Sequence, residues 1–383
     1  MATTPPPADE DQPAKKWTGR ASVSAPTPSA GRAATPQVAT RPVSPPPVYP
    51  PAYQGGKRRP RWGRIALIVF AVLMLVAGIG AFAGYQWIKG VDDDLRRTDP
   101  FADIAGRPQK LVDGTLNILL LGTDSRDPDA PIDQAGKWRT DTIVLMHIPA
   151  SHDKAYLISF PRDLWVHVPA SKDGQYGNTM AKINAAYAWG GAPLMVQTVE
   201  EYTGVRMDHV VLIDFGGFVK VTDAVGGVDM NVERTITSIH KPHRTFTKGM
   251  NHFDGAEALD YIRQRKQFPN GDFTRMKNQQ LFLKALLDKA VSVGTVTNIG
   301  ALKDFVTSVA DAIIVDQNFS LIDLGWQFRS LRSENLVFMI SPHNGTGTMD
   351  GQSVVLSDRE KALGLYDAVA KDTVGAWYAQ ANP

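Results

Sequence analysis

The sequence contains no cysteine. Disulfide scaffolds and thiolate chemistry are thereby excluded, which suits an exported protein that folds without cross-links but does not by itself assign a compartment. The chain also lacks a surplus of either charge: 41 Lys and Arg stand against 39 Asp and Glu in 383 residues. A generally basic surface is excluded, and any local cluster of one sign needs its own explanation. No internal repeat and no helix-turn-helix pattern is found, which argues against a DNA-binding regulator. Bulky apolar residues are scarce over the first sixty or so positions, where PPP occurs at Pro5–Pro7 and again at Pro45–Pro47. Such a stretch buries too little to offset its chain entropy, and residues 1–64 are expected to be a disordered tail, with a PxxP-type ligand as the functional alternative.

Beyond the tail the chain changes character. KRRPRWGR (Lys57–Arg64) leads into IALIVFAVLMLVAGIGAFAGY (Ile65–Tyr85), which carries no charged side chain. Its length meets the roughly 20 residues a helix needs to cross a bilayer. Five basic residues precede it and Asp92, Asp93 and Asp94 come after, so the N-terminus is expected in the cytoplasm and everything after Lys89 outside. A cleaved signal peptide is the competing reading, since Ala81-Phe82-Ala83 has the small-x-small form. The long leader and the long apolar run favour an anchor. The expected organisation is a tail (1–64), a transmembrane helix (65–88), a linker (89–105) and one exported domain (106–383).

Within that domain, apolar runs alternate with amphipathic stretches, the pattern of a layered α/β fold. Strands are expected at Leu116–Gly122, Thr142–Ile148, Ala155–Phe160, His209–Phe215 and Leu336–Ser341. Helices are expected at Pro193–Gly204, opened by Pro and closed by Gly, and at Ser357–Asp372 with Ser357 as cap. In a further helix, Leu283, Leu286, Leu287, Ala290 and Val291 repeat on one face and read as core.

Four short stretches place charge beside strand ends: Asp124 in LLLGTDSR, Arg139 and Asp141 in WRTDT, Arg162 and Asp163 in FPRD, and the segment YIRQRKQFPNGDFTR (Tyr261–Arg275). In the last, Asp254 with Glu257 forms a capping box, so a short helix should run to about Tyr261. If the chain then extends, Arg263 and Arg265 lie on one side; a continued helix would set them about 200° apart. PNGD is a turn that returns Arg275 toward them, and Asp272 reads as the cap of the next helix. Taken singly, each Asp is a turn former and each Arg-Asp pair a surface contact. Taken together, carboxylates with several guanidiniums are the two halves of a site for Mg²⁺ and phosphate.

This ordered set, NILLLGTDSR, RTDT, PRDLW, KINAAYAWGG and YIRQRKQFPNGDFTR, resembles the LytR-CpsA-Psr family of bacterial cell-wall enzymes. The resemblance runs from about Asn117 to Leu287. It implies a mixed central sheet between helices, a three-layer α-β-α fold, preceded by one membrane helix, with an apolar tunnel for a prenyl chain. It implies a phosphotransferase that moves a glycan phosphate from a polyprenyl-pyrophosphate donor to peptidoglycan, with no nucleic-acid partner. By position, Asp124 and Asp141 would hold Mg²⁺, and Arg139, Arg162, Arg263, Arg265 and Arg275 would surround the pyrophosphate. Lys182 and Asn184 also match, although Asn184 fits a turn brace and Tyr187 the core equally well. Many relatives carry Asp where this chain has Phe268. The general base is unassigned, and a lipid-pyrophosphate scaffold without catalysis or a hydrolase using water are the alternative functions.

Overall fold

Near-continuous apolar runs make strands covered on both faces, and the computed structural model arranges such strands, with a short polar edge strand, in one seven-stranded sheet. It describes residues 82–102, 104–123, 140–268, 271–291, 299–328 and 331–381, with Phe70, Met74 and Leu75. The strands are β1 (Arg96–Thr98), β2 (Leu116–Thr123), β3 (Thr140–Ile148), β4 (Ala155–Phe160), β5 (His209–Ile213), β6 (Ile313–Asp316) and β7 (Leu336–Ile340). Their order is β1-β6-β5-β2-β3-β4-β7. β1 and β6, β5 and β2, and β4 and β7 run parallel, while the other neighbours are antiparallel. The sheet is therefore mixed, as expected.

The helices are α1 (Asn184–Thr203), α2 (Phe215–Ala224), α3 (Gly255–Ile262), α4 (Gly271–Ala290), α5 (Ile299–Ala312), α6 (Leu321–Phe328), α7 (Arg359–Ala370) and α8 (Val374–Ala381). Alternation along β2 divides the core. Leu119 and Leu121 pack with Met195, Val196 and Val199 of α1 and Leu365, Tyr366 and Val369 of α7. Leu116 and Ile118 join the opposite face with Ala310, Ile313, Phe319 and Leu324. A third cluster, centred on Phe253, Tyr261 and Phe282, holds α3 and α4 together.

Several boundaries differ from expectation. The helix read from Pro193 begins at Asn184 and breaks at Gly190 and Gly191, whose backbones are non-helical, so Pro193 opens its second segment. Gly204 does end it, at φ 69°, a left-handed conformation that costs glycine nothing. The cap of α7 is Asp358, which accepts from the Lys361 amide, because the Ser357 hydroxyl is taken by the Tyr202 hydroxyl at 2.6 Å. The stretch read as a linker is folded: Leu95 is buried, Arg96–Thr98 is an edge strand, and Arg97 donates to the carbonyls of Asp92 and Phe319 at 2.9 and 2.7 Å. On the face read as core, Leu283, Leu286 and Ala290 pack half-buried against the third cluster, Leu283 and Leu286 also line a cavity, and Val291 is exposed.

The chain divides into Met1–Gly63 and Arg64–Pro383. The expected tail and most of the expected membrane segment lie outside the described residues. Among those described, no helix is long and apolar enough to cross a membrane.

Two glycines set how closely α2 can approach its neighbours. A Cβ on Gly217 would lie 2.4 Å from the Ala312 carbonyl oxygen, and one on Gly255 would lie 2.4 Å from that of Val219. Backbone atoms at such distances cannot yield as a flexible side chain does. Gly255→Ala is therefore expected to cost about 1–3 kcal/mol, lowering the unfolding midpoint by about 2–4 °C per kcal/mol. A calorimetric midpoint equal to that of the parent chain would show that α3 moves off α2 without cost.

Candidate active site

Because β2, β4 and β5 point the same way and β3 runs against them, the carboxyl ends of three strands and the start of a fourth share one sheet edge. Open α/β sheets bind ligands at such edges. In the ladder between β2 and β3, Gly122 faces Thr142 but Thr123 faces Thr140, leaving Asp141 as an extra residue. A bulge of this kind frees a side chain from the alternation of its strand. Here it supplies a carboxylate to the edge.

Beyond β4 the chain turns at Pro161-Arg162-Asp163, and its three carbonyls are all engaged. Pro161 accepts from the Leu164 amide at 2.9 Å, Arg162 from Asn184 at 3.2 Å and Asp163 from Val355 at 2.9 Å. Arg162 is thus held at its backbone before its side chain makes any contact. Its Nη1 then donates to Asp141 Oδ1 at 2.6 Å. Nε lies 3.7 Å from Asp163 and 3.9 Å from Asp272.

The remaining guanidiniums come from the segment between α3 and α4. The capping box of Asp254 and Glu257 is present and α3 ends at Ile262, but the chain does not extend as expected: Arg263 stays in the right-handed helical region (φ −90°, ψ −11°) and the Gln264 amide donates to the Tyr261 carbonyl at 3.1 Å. Between the two arginines Gln264 is fully buried, its Nε2 donating to Ser238 Oγ at 2.8 Å and Asp260 Oδ1 at 2.7 Å. With Gln264 pinned inward, Arg263 and Arg265 both face the cavity. Arg263 lies over the Phe215 ring at 4.3 Å. Asp272 is not a cap but sits inside the first turn of α4, where it meets Arg275 Nη2 at 3.0 Å. Pro269 and Asn270 of the expected turn lie outside the described residues.

Arg275 is 4% exposed. Burial lowers its pKa, opposed by Asp272 and reinforced by the neighbouring Arg162 charge. Burial also works against Arg162, yet Asp141 first, then Asp163 and Asp272, raise its pKa above the ordinary arginine value. Both remain cations, since arginine does not deprotonate in proteins. Five buried polar atoms gather near this edge without a hydrogen-bond partner among the described residues: the donors Arg162 Nε and Arg275 Nε, the hydroxyls of Thr123 and Thr140, and the acceptor Asp272 Oδ1. Leaving such atoms unpaired costs about 1–3 kcal/mol each.

Below them opens a cavity of about 460 Å³ with largely apolar walls, among them Leu120, Val144, Phe218, Phe282, Leu283 and Ile313. Arg162, Arg263, Arg265, Lys266 and Arg275 also line it, against two acids, Asp141 and Asp214. Asp214 is spoken for, because it caps α2 by accepting from Gly217 N at 2.6 Å. The strand expected to reach Phe215 stops at Ile213 for this reason, and an Asp-Phe-Gly-Gly step at a strand end was the available signal for a cap.

Of the residues anticipated from sequence, Asp141, Arg162, Arg263, Arg265 and Arg275 converge on this cavity. Asp124 and Arg139 lie outside the described residues. Lys182 does not line the cavity; its Nζ is 3.4 Å from Asp163 Oδ1. Asn184 braces the Arg162 turn through its backbone, and Tyr187 is core. The basic mouth, the apolar chamber and the order of motifs are joined by one comparison: a model of the LytR_cpsA_psr family matches residues 82–370. The chain is a member of the LytR-CpsA-Psr family. Within it, the cell wall biosynthesis protein LcpA of Corynebacterium glutamicum is 28% identical over 361 residues, covering 83% of this chain and 67% of that protein. The Oceanobacillus iheyensis protein TagU, a polyisoprenyl-teichoic acid–peptidoglycan teichoic acid transferase, is 32% identical over 260 residues, covering 65% and 76%. Among solved structures, a Streptococcus agalactiae protein superposes with a TM-score of 0.59 at 23% identity, covering 68% of this chain and 88% of its own. That likeness supports the fold.

Whether this LytR-CpsA-Psr site suits Mg²⁺ depends on its donors. No group of three or more His, Asp or Glu able to hold a metal occurs among the described residues. Mg²⁺, however, is commonly held by one or two carboxylates together with substrate phosphate oxygens. Asp141 commits only Oδ1 to Arg162 and is part-exposed at the mouth, so the donor set fits an ion shared with a bound phosphate.

Inorganic pyrophosphate should bind here and stabilise the fold, by about 2.7 kcal/mol at a hundred times its Kd. Arg275→Gln is expected to remove about 1.5–3 kcal/mol of that affinity, read by titration calorimetry. Equal affinity in the variant would place the anion elsewhere.

Proposed function

We propose that this protein is a membrane-anchored phosphotransferase that moves a glycopolymer phosphate from a polyprenyl-pyrophosphate carrier onto peptidoglycan outside the cell. The observation that carries this reading is the pairing of an apolar chamber with a mouth holding Arg162 and Arg275, whose buried Nε donors lack acceptors among the described residues. A long hydrocarbon attached to a diphosphate satisfies both halves at once. The relative TagU, named as a transferase of teichoic acid from a polyisoprenyl carrier to peptidoglycan, supports the same class of donor and acceptor.

In the proposed step, an acceptor hydroxyl oxygen forms a bond to the phosphorus that carries the glycan. The bond from that phosphorus to the bridging oxygen breaks, and the lipid leaves as its monophosphate, which retains the bonding electrons and takes up the proton. Transfer from pyrophosphate asks the protein mainly to position groups and to neutralise charge on the leaving phosphate. Arg162 and Arg275 would hold the diphosphate from the sheet edge, and Arg263 and Arg265 from the facing segment. Their forks match phosphate oxygens in pairs. Apolar walls keep water from screening these charges. Mg²⁺, held by Asp141 with Asp124, would supply further neutralisation of the phosphate oxygens.

The test is transfer from a lipid-linked pyrophosphoryl glycan to peptidoglycan by the full chain. Chelation should abolish transfer and added Mg²⁺ restore it, while Asp141→Asn should lose transfer and keep donor binding. Donor binding with no turnover by the parent chain would favour a scaffold, and release of glycan phosphate to water a hydrolase. The topology has its own test, made simple by the absence of native cysteine. In intact cells a membrane-impermeant maleimide should label Leu363→Cys, at a side chain 48% exposed, and should label Ser24→Cys only after lysis. The opposite pattern would put the domain in the cytoplasm.

A further inference from the structure

On the α1 side of the Arg162 turn, away from the cavity, a large aromatic side chain is presented to solvent. Tyr176 is 51% exposed and stacks on Trp189 with centroids 6.2 Å apart and planes 15° from parallel. Neither residue lines the cavity. Tyr176 sits in the loop between strands Trp165–Val168 and Thr179–Lys182, and that loop is built to hold it. The Ser171 amide donates to the Tyr176 carbonyl at 2.8 Å, the Tyr176 amide donates to Ser171 Oγ at 3.0 Å, and Ser171 Oγ donates to Asp173 at 2.6 Å. Gly177, at φ 86°, passes so close to Pro169 that a Cβ would overlap its carbonyl oxygen. A rigid frame thus keeps an apolar ring out of the core, with Lys172, Asp173, Gln175 and Asn178 exposed around it.

Trp189 closes the first segment of α1, directly before the Gly190–Gly191 break. That segment starts at Asn184, whose amide bonds the Arg162 carbonyl. Five helical steps take the chain from Asn184 to Trp189, about 7.5 Å along the axis, so the stacked pair stands close to the Arg162 turn. α1 packs on the sheet face opposite the cavity. In-line displacement requires attacking and leaving oxygens on opposite sides of phosphorus. With the lipid phosphate leaving from the chamber side, the acceptor must come from the other. We infer that Tyr176, backed by Trp189, is a stacking platform for a pyranose ring of the acceptor glycan, with the surrounding polar side chains reaching its hydroxyl and amide groups. This deepens the transferase reading and rests on it. A pyranose offers a flat C–H face that an aromatic ring can cover, with polar groups at its rim, and the exposed ring with its polar border has the complementary form.

The experiment titrates the full chain in detergent with a β-1,4-linked N-acetylglucosamine tetramer by calorimetry, beside Tyr176→Ala and Tyr176→Phe. Saturable binding is expected, weakened about three- to tenfold by Tyr176→Ala and retained by Tyr176→Phe, with pyrophosphate affinity the same in all three. No saturable binding by the parent chain, or equal binding by Tyr176→Ala, overturns the platform. In the transfer assay, Tyr176→Ala should raise KM for peptidoglycan and leave kcat and the donor KM unmoved. A rise in donor KM instead would assign the platform to the donor glycan and overturn the acceptor inference. Tetramer binding through Tyr176 in a chain that transfers nothing would leave the platform standing and remove the transferase.

Discussion

The contact between Arg162 and Asp141, 2.6 Å at the sheet edge, is the interaction around which the site is organised. Neither partner is free to choose its place. Asp141 is delivered by a bulge, and Arg162 by a turn whose carbonyls are tied to α1 and to the strand Gln352–Ser357. Around them Asp163, Asp272 and Arg275 complete a cluster in which Arg162 meets three carboxylates and Asp272 two guanidiniums. Partly buried pairs of this kind contribute little net stability once desolvation is counted, yet breaking one leaves a buried charge uncompensated. The cluster therefore serves position more than stability.

Position matters because the cavity carries more basic than acidic side chains, and one of its two acids is committed as a helix cap. The protein's own carboxylates hold Arg162 and Arg275 in place but leave their Nε donors without acceptors among the described residues. A diphosphate adds several acceptor oxygens and negative charge at one stroke. On the proposed reading, such a ligand adds counter-charge to the basic stretch from Tyr261 to Arg275, beyond the Asp272 that already pairs with Arg275.

Much of the sheet was legible because strands covered on both faces read as unbroken apolar runs, and β2, β3 and β4 differ from expectation by two residues at most. Caps were harder. Asp214 and Asp358 were displaced by one or two residues from the expected element ends, since any short polar residue near a helix start can serve. The two-apart spacing of Arg263 and Arg265 was readable, but the reason it holds was not: Gln264 is locked by Ser238 and Asp260, and Ser238 arrives from a loop more than twenty positions earlier. The face of α4 was legible in part: periodicity reports that Leu283 and Leu286 turn away from water, and they pack against the third cluster, but it does not tell that they line a cavity as well.

This last point bears on how binding and stability are divided. A wall of leucine and phenylalanine facing a cavity forgoes part of the dispersion contact it would have in a packed interior. Gly255 and Gly217 let α2 approach α3 and α5 closely beside the chamber. A hydrocarbon entering it would recover the missing contact, at about 0.8 kcal/mol for each methylene buried. On the proposed reading, lipid binding is driven by completion of the core, while the arginines at the mouth select the lipid headgroup. Affinity and selectivity would then be carried by separate parts of one cavity, joined at the bulge where Asp141 leaves its strand.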